Sequence, residues 1–229
     1  MKACALIPAL DAEDTIGSVL EDVKLKVGLP VIVVDDGSKD DTSNIALERG
    51  AIVLRHNVNR GKGAAIVTGL TEASRRAFEC AVTLDADSQH PATSVHAVLT
   101  SPAEACALVL GVRNLLRDGA PRSNRFGNFV SNWFISAFSG KSLHDTQCGL
   151  RRYPVRETLA LEARSLGFAF EAEVLLRAIA AGMPIAEVPV TAEYSERTMM
   201  RTHFRNWRDP AAIVCTVVHT MIETRWLTR

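Results

Sequence analysis

Two carboxylates one residue apart close an apolar run, Val82-Thr83-Leu84-Asp85-Ala86-Asp87, and Ser88-Gln89-His90-Pro91 follows directly. A strand that ends this way delivers both acids to the carboxyl edge of a sheet, where open α/β folds bind ligands. Oxygen ligands at such an edge suit Mg²⁺ or Mn²⁺, hard cations held by one or two carboxylates plus substrate phosphates. A cation there would neutralise the charge that grows on a departing nucleoside diphosphate. The plain structural alternative is a solvated Asp-x-Asp at a strand end.

A second acidic pair ends another strand, in Val31-Ile32-Val33-Val34-Asp35-Asp36-Gly37-Ser38. Acids in this place can accept hydrogen bonds from a base NH or a ribose hydroxyl, with Gly37 permitting a close turn. A turn and helix cap explains Asp41 and Thr42 but not Asp35 and Asp36. The third segment, Asn57-Val58-Asn59-Arg60-Gly61-Lys62-Gly63, is neither G-x-G-x-x-G nor a P-loop. A helix opening at Gly63 beside Arg60 and Lys62 would still attract phosphate through free N–H groups and the helix dipole. Phosphatases of the haloacid dehalogenase type are a rival for the first motif. They want Thr or Val two positions after the second Asp and an N-terminal location, and here Gln89 holds that place.

Further along, Arg113, Arg117, Arg122 and Arg125 share one loop with only Asp118 against them. The guanidinium fork suits bidentate contact with a phosphate. A solvated basic loop is the structural alternative. Asp145 is the candidate base should the acceptor be a hydroxyl, capping of its turn being its structural alternative, and Gln147 is placed to hydrogen-bond either substrate. The C-terminal stretch carries Arg197, Arg201, Arg205, Arg208, Arg225 and Arg229 against Asp209 and Glu223, interleaved with Trp207 and Trp226. Basic residues and tryptophans around the apolar run 211–222 fit an interfacial segment on an anionic membrane. A helix docked on the domain, or one forming a homodimer, is the alternative.

The elements that must position these residues alternate through the first half. Short Val/Ile/Leu/Ala runs at 3–7, 31–34, 52–55, 81–84 and 107–112 read as doubly buried strands of a parallel sheet, joined by amphipathic helices. Asp11 or Asp14 can cap a helix to about Val23, Asp41 or Thr42 one that stops at Gly50, and a third runs to about Ala77. After Val112 come the arginine loop, a helix over about 124–139, a turn at 145–149, helical spacing from Phe170 to Ile179, and a strand at 184–190. The expected fold is α/β, with a mostly parallel central sheet, helices on both faces, and one domain over 1–196 followed by an amphipathic helical tail, 197–229.

Composition agrees. Hydrophobic residues are 47% of 229, enough for a sizeable core, and 26 basic residues balance 26 acidic ones. That balance removes the overall charge expected of a nucleic-acid binder. Five scattered cysteines without a C-x-x-C pair point to reduced, mostly buried thiols and a cytoplasmic location. The apolar run before Pro8 is too short for a signal peptide, and 211–222 falls short of the ~20 residues of a membrane span.

Taken in order, Ile7-Pro8-Ala9, Val34-Asp35-Asp36-Gly37-Ser38, Gly61-Lys62-Gly63 and Asp85-Ala86-Asp87-Ser88-Gln89-His90 resemble the motifs of family 2 glycosyltransferases, nearest in pattern the dolichol-phosphate mannosyltransferase-like enzymes. Asp145-Thr146-Gln147-Cys148-Gly149-Leu150-Arg151 and Gly167-Phe168-Ala169-Phe170-Glu171 are similar to two further stretches of that family. The likeness covers roughly residues 3–195. It implies a GT-A, Rossmann-like fold, with 1–112 as the nucleotide-sugar half and 113–196 as the acceptor half. It also implies that Pro8, Ala9, Asp35 and Asp36 line the nucleotide pocket, that Asp85, Ala86 and Asp87 face metal and diphosphate, and that Gln89 sits beside them. Late His or Arg residues of GT-A enzymes close over the diphosphate or ligate the metal, which makes His203, with Arg201, candidates here. The arginine loop, Arg113, Arg122 and Arg125 included, would receive a polyprenyl phosphate. This chain has Leu10-Asp11-Ala12 where the family often has Tyr-Asn-Glu, and the nucleotide, UDP or GDP, is left open. The expected activity is inverting, Mg²⁺- or Mn²⁺-dependent sugar transfer to a lipid-linked phosphate, on the inner face of a membrane. Transfer to a hydroxyl with Asp145 as base, and a noncatalytic nucleotide-sugar-binding protein, are the alternatives.

Overall fold

The computed structural model describes residues 1–167, 169–194, 215–220 and 222–224. Seven strands form one sheet: β1 (Ala3–Ala9), β2 (Val31–Asp35), β3 (Ile52–Arg55), β4 (Cys80–Thr83), β5 (Leu108–Arg113), β6 (Arg151–Pro154) and β7 (Ile185–Val190). Their order is β3-β2-β1-β4-β6-β5-β7. All pairings are parallel except those of β6, which runs antiparallel to both β4 and β5.

Helices cover both faces because the strand residues alternate between two cores. Cys4 and Leu6 of β1, Ile32 and Val34 of β2, and Leu108 and Leu110 of β5 join one cluster. Helices α3 (Lys62–Arg75), α5 (Arg122–Ser139), α6 (Val155–Ala160) and α7 (Ala169–Ala180) close it with Leu70, Ile135, Val155 and Leu175. Ala5, Ile7, Val31, Val33 and Val109 face the other cluster. There α1 (Glu13–Asp22), α2 (Thr42–Glu48) and α4 (Ala92–Leu99) supply Ile16, Leu20, Ala46, Val95 and Val98. Strands buried on both faces carry no polar alternation, which is why they read as continuous apolar runs.

Three expectations are corrected. The sheet contains β6, whose Arg151-Arg152-Tyr153-Pro154 has no apolar run to announce it although all four residues are buried. Its two guanidiniums are absorbed by backbone carbonyls: Arg151 donates to those of Cys148, Glu171 and Thr146, and Arg152 to those of Leu99, Ser101, Ala103 and Glu104. Helix α1 has no side-chain cap from Asp11 or Asp14, and α2 none from Asp41 or Thr42. Instead Asp11 accepts a bond from the Lys39 amide (2.8 Å) and Thr42 from that of Ala12 (2.8 Å), so the loops after β1 and β2 hold each other. The third correction is at the start of α3, taken up with the site.

Of the cysteines, Cys4, Cys80 and Cys148 are buried and all five are free. Burial pushes the Cys4 and Cys148 thiols up to about 12, as expected of inert core groups. In the tail, residues 215–220 and 222–224 are helical, and Val217 and Thr220 are buried. Glu223 pairs with Arg177 of α7 at 2.6 Å, so this part docks on the domain. Arg201, His203 and Trp207 lie outside the described residues. No helix among the described residues is long and apolar enough to cross a membrane.

Candidate functional site

Strands β2 and β3 lie to one side of β1 and β4 to the other, so connections leave in opposite directions between β1 and β4. Such a switch point opens a crevice at the carboxyl ends of the strands. Pro8 and Ala9 end β1 there, and Asp85, Ala86 and Asp87 follow β4. Thr83 of β4 and Leu110 of β5 are both paired with Arg151, which places Arg113, the last residue of β5, on the same edge.

At this edge Asp85 Oδ1 is 2.7 Å from Lys62 Nζ, and the same ammonium lies 3.0 Å from Glu171 Oε1. Burial opposes ionisation of Asp85, but the charge of Lys62 outweighs it and holds the carboxyl below the usual range. Asp87 feels the Lys62 charge only weakly. Burial and the neighbouring Asp85 push its pKa up to about 6, although its Oδ1 accepts the Gln89 amide at 3.0 Å. His90 is kept neutral near neutral pH, since burial lowers its pKa to about 4. Its Nδ1 is enclosed with no hydrogen-bond partner among the described residues.

The donor set fits a hard divalent cation. It offers carboxylate oxygens from Asp85 and Asp87, and among the described residues no third His, Cys, Asp or Glu completes a protein cage. Two carboxylates that leave the remaining positions to phosphate oxygens are the usual way such ions are held beside a nucleotide.

Beside this edge is a cavity of about 560 Å³. Arg113, Arg117 and Arg125 line it together with Leu116, Asn128 and Phe129. Arg113 does not present its fork to the cavity as the sequence suggests. Its Nε and Nη2 hold Asp145 at 2.7 and 3.0 Å, and Nη1 donates to the Tyr194 hydroxyl at 3.2 Å. Asp145 also accepts from Asn128 Nδ2 (2.8 Å) and the Arg113 amide (3.1 Å). Despite its burial, these donors hold the carboxyl below its ordinary value. Gln147 is half-buried two residues on, its amide 3.4 Å from Asp145 Oδ1. Arg122 is exposed at the first turn of α5.

The second acidic pair faces inward. Asp35 accepts from the Ser38 amide (2.8 Å) and from the Ser43 hydroxyl. Asp36 accepts from the amides of Arg60 (2.9 Å) and Gly61 (2.7 Å) and sits 2.6 Å from His56 Nδ1. In the structure both carboxylates fasten the loops that frame the cleft. Nor is the start of α3 fully open to a phosphate. A Cβ at Gly61 or Gly63 would strike the backbone of Leu166 or Ser165, and the Ala64 amide donates to the Leu166 carbonyl at 3.1 Å. Glycine is required at 61 for a second reason, its φ of 95°. The Lys62 side chain is turned to the acidic edge, against Asp85 and Glu171.

Sequence reasoning gave no role to Glu171, His90, Asn128 or Tyr194. Glu171 left a signal: it and Glu173 interrupt the apolar residues of a helix whose other buried members include Phe170, Val174, Leu175 and Leu176. Asn128 and Tyr194 left none, because only the tertiary fold brings them to Arg113 and Asp145.

Residues 4–158 match the family model described as glycosyl transferase family 2. A dolichyl-phosphate hexose transferase of Haloferax volcanii is 33% identical over 93% of this chain and 91% of its own length. A UDP-N-acetylglucosamine–dolichyl-phosphate N-acetylglucosaminyltransferase of Methanococcus voltae is 28% identical over 86% and 87% respectively. Among solved structures, glucosyl-3-phosphoglycerate synthase of Mycobacterium tuberculosis, in complex with Mn²⁺ and UDP-glucose, superposes with a TM-score of 0.73 at 20% identity. That match covers 97% of this chain and 78% of the synthase, and confirms the GT-A-type α/β fold.

Proposed function

The chain belongs to glycosyl transferase family 2 and is an enzyme of sugar transfer; we propose that it moves a sugar from a nucleoside diphosphate, with inversion, to a polyprenyl phosphate. The observation that carries this reading is the placing of the Asp85–Asp87 edge and the arginine-lined cavity side by side at the carboxyl ends of β4 and β5. The relatives that use dolichyl phosphate, and the Mn²⁺ and UDP-glucose of the synthase complex, support the choice of acceptor, donor and metal class.

Asp85 and Asp87, with Gln89 beside them, would hold Mg²⁺ or Mn²⁺ on the donor diphosphate, the nucleoside lying over Pro8 and Ala9. The cation, when bound, supplies Lewis-acid neutralisation of the leaving group. Arg117 and Arg125 orient the acceptor phosphate, while Leu116 and Phe129 give an apolar wall to the first isoprene units. A phosphate monoester has a second pKa of ~6, so it arrives as a charged nucleophile and needs no general base. Alignment and charge neutralisation do most of the work. The rival acceptor, a hydroxyl deprotonated by Asp145, fits less well, because that carboxylate is buried, fully engaged and held at low pKa.

A lipid acceptor requires a membrane surface within reach. Helix α5 presents Phe126 (70% exposed), Phe129 (67%) and Trp133 (64%) on one face and contains two arginines but no acid. That face, on the cytoplasmic leaflet, would bring the cavity to the lipid headgroups. The test offers one labelled nucleotide sugar with polyprenyl phosphate or the matching polyprenol. Transfer to the phosphate alone, lowered at least about tenfold in Arg125→Ala, is expected. Transfer to the alcohol at equal rate would transfer the case to Asp145.

A further inference from the structure

Between the acidic edge and the core sits a three-member charge chain: Asp85 on the loop after β4, Lys62 at the start of α3 and Glu171 in the first turn of α7. Its middle member is nearly enclosed, with the Lys62 side chain 15% exposed and Glu171 7%. Burial opposes the charge on Lys62, yet the two carboxylates raise its pKa well above the ordinary value. The chain leaves no room beside it. A Cβ at Gly149 would stand 2.6 Å from Asp85 Oδ2 and 2.9 Å from Lys62 Nζ, so the turn after Asp145 must be bare at that point.

A lysine paired with a single carboxylate cancels that carboxylate's charge. A lysine shared between two leaves one net negative charge for a cation, and its position is fixed from both sides. At such short distances, with Lys62 and Glu171 largely buried, the attraction is only partly screened, which makes this sharing matter. Glu171 reaches Lys62 from α7, and its backbone is tied to β6, since the Arg151 guanidinium donates through Nη1 to the Glu171 carbonyl at 2.8 Å. Glu171 is thus anchored by its backbone while its side chain engages the ammonium.

We infer that Glu171 and Lys62 are positioning residues that set the orientation and effective charge of Asp85, and through it the affinity of the acidic edge for a divalent cation. Glu171 draws the ammonium partly away from Asp85, and Lys62 keeps Asp85 Oδ1 fixed while Oδ2 lies against Gly149. The inference rests on the proposed metal reading of Asp85 and Asp87.

The test is titration of Mn²⁺ into the full chain at saturating UDP, following free Mn²⁺ by electron paramagnetic resonance. Glu171→Gln removes a negative charge near Asp85 and is expected to raise the Mn²⁺ Kd about tenfold. Lys62→Met removes a positive charge and is expected to lower it by about the same factor. The double variant, which removes one charge of each sign, is expected to return the Kd to within about threefold of the wild-type value and guards against misfolding of Lys62→Met alone. Residues that served only to hold the fold would weaken Mn²⁺ binding in every variant, and shifts of the same sign in both single variants would overturn the inference. A wild-type chain that binds no Mn²⁺ with UDP would overturn the metal reading together with it.

Discussion

Asp87, in the proposed metal edge, is the residue at which a proton and a cation would compete. Its pKa near 6 stands above the ordinary carboxylate value of about 4, because of burial and the adjacent Asp85. Between those two values the folded chain holds a proton that the unfolded chain has released, so its contribution to stability is present at low pH and lost as pH rises through about 6. Cation affinity has the opposite sign. From pH 5 to 7 the metal-free chain should lose thermal stability from this group while its Mn²⁺ affinity climbs, about tenfold per unit below 6; Asp87→Asn should abolish both trends in paired melting and titration series. Asp145 behaves differently, as the partner of a buried guanidinium. Asp145→Asn strands Arg113 without a counter-charge and is expected to cost about 3–5 kcal/mol in urea unfolding, whereas unchanged stability would argue against the pairing. The acidic pair of Asp85 and Asp87 was legible in the sequence because a strand end and two carboxylates are a local pattern. The inward turn of Asp35 and Asp36 was not, since their partners, the amides of Arg60 and Gly61 among them, come from another loop.

At the scale of elements, five of the seven strands announced themselves as apolar runs within one or two residues of their ends, and β7 followed after a proline. β6 stayed hidden because buried arginines look like surface residues until the carbonyls that receive them are known. The same strand carries Gly149 into the site just before it begins, and packing there is tight enough to measure. Gly149→Ala is expected to destabilise the fold by about 1–3 kcal/mol and to weaken Mn²⁺ binding, because the new methyl meets Asp85 Oδ2; a variant with unaltered affinity would contradict that contact. Helix α5 tests the lipid side. Phe126→Ser with Trp133→Ser removes two exposed aromatics, and co-sedimentation with anionic vesicles should fall about tenfold while Mn²⁺–UDP binding is unchanged.

The whole molecule carries no net charge, so its chemistry depends on where charges of each sign collect. Acids gather on the edge after β4 and arginines in the neighbouring cavity, one sheet edge uniting the proposed donor and acceptor sides, about thirty residues apart in sequence. That union follows from the crossover between β1 and β4 and from the antiparallel insertion of β6, which sets β5 beside them at the right height. The architecture was legible as α/β from its alternation, and the resemblance of its ordered motifs named the family, but the charge chain through Lys62 and the locked Arg113 needed the folded molecule. The most direct test measures labelled sugar passing from a nucleotide donor into an organic-extractable polyprenyl phosphate product, with Mn²⁺ and with a chelator, for the wild-type chain and Asp87→Ala. The expected result is product that requires the metal and drops at least about a hundredfold in the folded variant. Equal product from wild type and Asp87→Ala, or undiminished product in chelator, would contradict it.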